Sequence, residues 1–166
     1  MADVVVRICP LELDAEAFRP LWEAAAEYHE LLDGPDPPPL PVWEHERAWL
    51  RRALAGGDRG FVAVADDGDE LVGYARVVLR SGGLGVWPPA ARVGELATLS
   101  VAASRRGRGV GGRLVEAVDR ELAVRGVSVM FVSFWPQNTA ARRFYERHGF
   151  RADAGGRHRR PVASGC

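Results

Sequence analysis

Val101-Ala-Ala-Ser-Arg-Arg-Gly-Arg-Gly-Val-Gly-Gly-Arg-Leu114 joins the end of a strand, a glycine-rich turn and the start of a helix. Upstream, Val93 to Val101 alternates Thr98 and Ser100 with apolar Leu99 and Val101, the two-residue period of a strand. Downstream, Val110, Leu114, Val118 and Leu122 recur at every fourth position and predict a helix over Gly109 to Arg125 that packs on a sheet. Glycines let backbone N–H groups converge on an anion, and the first turn of a helix adds unpaired donors and a partial positive charge. Arg105, Arg106 and Arg108 add full charges. No Gly-Lys-Ser/Thr closes the loop, and no acid about 20 residues on ends a second strand, so neither nucleotide motif fits. By itself the pattern is equally that of a tight structural turn.

Working outward, Val4 to Cys9 reads as a first strand ended by Pro10. Asp14 caps a helix whose apolar face runs through Phe18, Leu21, Trp22, Ala25, Tyr28, His29 and Leu32, with Pro20 kinking or restarting it. The proline-rich stretch from Asp33 to Pro41 forces a loop, Val42 to Leu54 reads as a second amphipathic helix, and Gly56-Gly57 ends it. Phe61 to Ala65 and Leu71 to Leu79 form a hairpin, and a loop from Ser81 to Ala91 leads into the strand before the glycine turn. After the long helix, Val127 to Phe134 suits a buried strand, Asn138 caps a helix through His148, and Gly149-Phe150 leads into a last short strand. The order β-α-α-β-β-β-α-β-α-β belongs to an α/β (α+β) fold, and 166 residues suit a single domain over 1–166.

Two segments carry a family resemblance. Arg106-Gly-Arg-Gly109-Val-Gly111 matches the Arg/Gln-x-x-Gly-x-Gly/Ala signature for acetyl-CoA binding in the GNAT N-acetyltransferase superfamily. Asn138-Thr-Ala-Ala-Arg-Arg-Phe-Tyr-Glu-Arg-His-Gly-Phe150 is similar to that superfamily's second diagnostic segment, and the two stand in its order, within a motif core of 93–150. The resemblance implies a mixed, mostly antiparallel sheet flanked by about four helices, its fourth and fifth strands splayed to admit the pantetheine arm. It implies acetyl-CoA as co-substrate, held by Leu99, Val101, Arg106, Gly107, Arg108, Gly109, Val110, Gly111 and Gly112, with Asn138 and Tyr145 beside the pantetheine and thioester. Relatives commonly add a strand after the final Gly-Phe. Ala154 to Pro161 has little strand character, which leaves that wall of the acceptor site to a partner subunit.

Acyl transfer to an amine needs a proton removed from an ammonium near pKa 10 and one delivered to the departing thiolate. The resemblance offers Glu95 as base and Tyr145 as acid, with the Val101 N–H polarising the thioester carbonyl. Glu95 reads equally as a strand carboxylate paired with an arginine, and Tyr145 as a core aromatic. Acceptor contacts fall to Trp22, Tyr28, His29 and Trp135, although core packing suits each tryptophan as well. The resulting expectation is an N-acetyltransferase acting on a small-molecule or peptide primary amine by direct transfer in a ternary complex. A CoA-binding regulatory module, or use of a longer acyl-CoA, stands as the alternative.

Charge and composition bound the rest. All 22 basic residues are arginine; residues 1–100 hold 9 of them against 17 acids, and 101–166 hold 13 against 5. A net −8 half facing a net +8 half suits a cationic acceptor and an anionic co-substrate. Zero net charge, with no aromatic interleaving of Arg157-His-Arg-Arg160, argues against nucleic acid. No apolar run approaches the roughly 20 residues of a membrane span, and no secretory leader is visible, so a cytoplasmic protein with no membrane partner is expected, as monomer or homodimer. Cys9 and Cys166 form no disulfide framework, and His45, His148 and His158 no metal set.

Overall fold

A computed structural model describes residues 4–9, 13–32, 42–55, 59–68, 70–81, 92–152 and 158–162. Along them run β1 (Val5–Ile8), a 3-10 turn (Ala15–Phe18), α1 (Arg19–Leu32), α2 (Trp43–Leu54), β2 (Gly60–Asp66), β3 (Leu71–Ser81) and β4 (Arg92–Val101). A second 3-10 turn (Ala103–Arg105), α3 (Val110–Val124), β5 (Val129–Val132), α4 (Thr139–Arg147), β6 (Arg151–Ala152) and β7 (His158–Pro161) follow. Strands pair in the order β1-β2-β3-β4-β5-β7-β6, and among the described residues only β4 and β5 run parallel. The Gly56-Gly57 cap, the whole proline-rich stretch from Asp33 to Pro41 and all of the Ser81–Ala91 loop after Ser81 lie outside the described residues.

Local chemistry explains the elements. The Asp14 carboxylate accepts from the Glu16 N–H at 3.1 Å and starts the 3-10 turn, and Pro20 falls in the first turn of α1, where its missing N–H leaves no bond unmade. Of the two expectations for Pro20, it restarts the helix. Every residue of β2 from Gly60 to Ala65 is buried because helices cover both faces of the sheet. On one face α3 buries Val110, Leu114, Val115, Val118 and Leu122; on the other, Phe18, Leu21, Trp43, Leu50 and Leu54 form a second cluster with Tyr74. Each such side chain contributes about 1.5–3 kcal/mol.

β4 pairs with β5 only through Val93–Val129, Gly94–Met130 and Glu95–Phe131, and then leaves it. Ala97 has no partner in β3, since Arg76 faces Thr98 while Val77 faces Leu96. This bulge bends the strand where the parallel ladder stops. β5 is shorter than the apolar run suggests. Gly126, at φ 68°, turns the chain so that the Val127 N–H closes on Leu122 O at 2.9 Å, and at the other end the Phe134 ring stacks on Tyr145 with centroids 5.5 Å apart.

The polar tail corrects an expectation. His158–Pro161 is a strand, antiparallel to β5 with Met130 opposite Arg160, and β6 pairs on its far edge. The unmet hydrogen bonds along the edge of β5 supply the drive, and Pro161 sits at the strand end, where a missing donor is tolerated. An Arg160–Asp119 ion pair with α3 pins it. The chain therefore provides its own final strand, with no partner subunit needed for it.

Candidate active site

The parting of β4 from β5 opens a cleft of ≈ 550 Å³ lined by α1, the second half of β4, Val132 to Trp135 and α4. In an antiparallel ladder, successive N–H groups point to opposite edges. The Ala102 N–H bonds to Val72 O in β3 at 2.9 Å, so the N–H groups of Val101 and Leu99 point the other way, into the split. The Val101 carbonyl shares that edge, and Arg106 Nε donates to it at 3.0 Å. An extended, amide-bearing chain would find here a strand edge whose ladder is half made.

The glycines of the adjoining loop divide into two pairs. Gly107 and Gly109 have φ of 72° and 80°, left-handed values that favour glycine, and Gly109 ends the turn as the N-cap of α3. Gly111 and Gly112 are helical and small for another reason. A Cβ on Gly111 would lie 3.2 Å from the Phe144 ring, and one on Gly112 would lie 2.9 Å from His148 Cε1. The second pair lets α4 press against the start of α3. The Arg113 N–H takes Gly109 O at 3.1 Å, and the donors of Val110, Gly111 and Gly112 precede that first intrahelical bond. Of the three loop arginines, Arg105 is already paired with Asp67 of the β2–β3 turn, whereas Arg106 lies with its guanidinium 5.9 Å over the Tyr28 ring.

Of the residues singled out in the sequence, ten line the cleft, five form the loop and helix start beside it, and Glu95 alone does neither. Leu99, Val101, Arg106, Gly111, Asn138 and Tyr145 line the cleft with Trp22, Tyr28, His29 and Trp135. Asn138 is buried and caps α4, its Oδ1 accepting from the Ala141 N–H at 2.9 Å. His29 and Trp135 stack at 6.0 Å with their planes 7° apart, joining α1 to the segment after β5. Tyr145 packs among Phe134, Phe144 and Phe150, and burial raises its phenol well above the usual value, so it stays protonated. Gly107, Arg108, Gly109, Val110 and Gly112 form the loop and helix start beside the cleft.

Glu95 is the exception. It shares a sheet face with Thr98, because the Ala97 bulge offsets the alternation, but it does not line the cleft; Arg80 Nε donates to its Oε2 at 2.6 Å. Glu46 of α2 is instead the carboxylate of the cleft wall. It is 6% exposed, and burial raises its pKa while Arg76, Nε to Oε1 2.9 Å, pulls it down. The signal was in the sequence: Glu46 stands three residues after Trp43 and four before Leu50, on the buried face of the helix. Cys9 is half-buried, its thiol pushed up to about 11 by that burial.

A mixed sheet parted between one parallel pair, with a glycine loop entering a helix at the mouth, defines a class of acyltransferases. The chain belongs to the acetyltransferase (GNAT) family, whose profile matches residues 21–150. Solved structures are similar throughout. An acetyltransferase from Thermus thermophilus is 24% identical with a TM-score of 0.67, over 98% of this chain and 100% of that one. The aminoglycoside N-acetyltransferase AAC(6')-Iy in complex with CoA is 20% identical with a TM-score of 0.72, over 91% and 90%. The match to the NatC complex bound to Gag peptide and CoA is 17% identical with a TM-score of 0.68, over 97% and 99%. No curated protein sequence matches the chain.

Proposed function

We propose that the protein moves an acetyl group from acetyl-CoA to a primary amine of a small molecule or peptide, by direct transfer within a ternary complex. The observation that carries this reading is the half-made edge of β4 opening into the same cleft as the glycine loop and Tyr145. Acetyl-CoA would bring the acetyl group as an activated thioester. The amides of Leu99 and Val101 suit the amide-bearing arm, and Val101 also suits the thioester oxygen. The free donors of Val110 to Gly112, the turn made by Gly107 and Gly109, and Arg106 and Arg108 suit the pyrophosphate. Asn138 fixes the start of α4 beside the arm, and Tyr145 keeps a proton at its phenolic oxygen for a departing thiolate.

The acceptor half has aromatic walls: Trp22, Tyr28, His29 and Trp135. The acids of α1, Glu23, Glu27 and Glu30, face solvent, so attraction of a cationic amine would come from ring faces and from Glu46. A thiol held protonated at Cys9 gives no support to a covalent acyl-enzyme. The test is calorimetric titration of acetyl-CoA into the wild type and into Gly109→Trp and Gly111→Trp. Micromolar binding lost in both folded variants, followed by thiol release with primary amines, is the expected result. Absence of wild-type binding would overturn the reading, and ping-pong kinetics would overturn direct transfer.

A further inference from the structure

Glu46 is placed by three elements. Trp43 and Leu50, on the same face of α2, bury that side of the helix against the sheet, so that Glu46 between them reaches β3 and β4. There Tyr74 OH donates to Oε1 at 3.4 Å and Arg76 Nε approaches the same oxygen at 2.9 Å; Arg76 also donates to Thr98 Oγ1 at 3.2 Å and lies 4.7 Å over the Trp49 ring. Buried ion pairs of this kind add little net stability, because desolvation offsets the attraction. Its place in a cleft wall gives this pair a chemical use instead. Glu46, Arg76 and Thr98 all border the cleft, and so do Leu99 and Val101, whose N–H groups open into it.

We propose that Glu46, in place of Glu95, is the catalytic residue that takes the proton from the acceptor's ammonium. This rests on the acetyl-transfer reading above. In the step, one N–H bond of the ammonium breaks, its electron pair stays on nitrogen, and the proton forms an O–H bond with the Glu46 carboxylate. The ammonium and the carboxylate both become neutral, and the positive charge that remains in the site is that of Arg76. Arg76 and Tyr74 are the titratable groups facing Glu46; burial raises the pKa of the carboxyl and Arg76, with Nε 2.9 Å from Oε1, opposes that rise. Glu95, tied to the half-exposed Arg80, has no such access.

The experiment measures thiol release from acetyl-CoA with a mixture of phenethylamine, butylamine and spermidine, across pH, together with calorimetric acetyl-CoA affinity. Glu46→Gln should lose about 10²-fold or more in kcat/KM, with acetyl-CoA affinity unchanged, and should lose the acid limb of the wild-type profile, which falls above the ordinary carboxylate range. Glu46→Asp, keeping a carboxylate, should regain part of the rate, and Glu95→Gln should stay within about threefold of wild type. If Glu46→Gln leaves Arg76 unbalanced and does not fold, the double variant Glu46→Gln/Arg76→Gln removes both charges and is read the same way. A Glu46→Gln enzyme with wild-type rate and pH profile, or a Glu95→Gln enzyme that loses as much, overturns the role while leaving acetyl transfer intact. A wild type that binds acetyl-CoA and acetylates none of the amines overturns both together.

Discussion

One strand of this protein is used in two opposite ways. From Val93 to Glu95, β4 is bonded on both edges and belongs to the scaffold; from Leu96 to Val101 it keeps β3 and gives up β5. Strand propensity does not separate the halves, since Leu99 and Val101 suit a ladder as well as Val93 does. The cause lies beside the strand. β5 ends at Val132, Phe134 turns to stack on Tyr145, and the Ala97 bulge swings β4 away at the same level. An open edge has been made by interrupting the neighbour and leaving the strand whole.

Proline offers the sharpest way to break that comparison. Val101→Pro deletes an N–H that faces the split and makes no ladder bond, so the folded protein should persist while kcat falls about 10²–10³-fold. Ser100→Pro deletes the next N–H, on the β3 side, and should lose the cooperative thermal transition that Val101→Pro retains. Equal unfolding by both would refute the assignment of edges. A smaller effect is expected on the other wall: Tyr145→Phe removes only the hydroxyl, and kcat should drop about 10²-fold with acetyl-CoA affinity held. A stopped-flow measurement showing no change in the chemical step would leave Tyr145 to packing alone. Smallest are the loop glycines. Gly107→Ala forces a left-handed φ in open space and should lose about 1 kcal/mol in urea unfolding. Gly112→Ala presses on Cε1 of the His148 ring and should instead shift the α3–α4 contact, seen as a changed His148 proton resonance.

Much of this architecture was legible in the sequence because it rests on local patterns. The four-residue repeat of α3, the Asn138 cap and the alternation of β4 are local signals, and the structure follows them within a few residues. β7 was not legible because nothing in His-Arg-Arg-Pro favours a strand; its conformation is imposed by the open edge of β5 and by Asp119, far away in the chain. The glycine loop suggested a phosphate cradle, and only distances reveal that Gly111 and Gly112 make room for Phe144 and His148. Glu95 and Glu46 differ in the same way. The resemblance pointed to the first, which is paired with Arg80 and does not line the cleft, while the second owes its position to a helix face. The two charge halves are bridged in part: Arg105–Asp67 joins the acidic and basic halves, whereas Arg7–Asp66 and Arg160–Asp119 each stay within one.

The aromatic lining has a practical side. Trp22 and Trp135 border the cleft, Trp43 touches Trp22 at 5.6 Å, and Trp49 lies against Arg76. Whatever enters must change the surroundings of an indole, so the protein carries its own optical reporter. Emission from these rings would register an acceptor before any product is made, and a library of amines could be ranked by light alone.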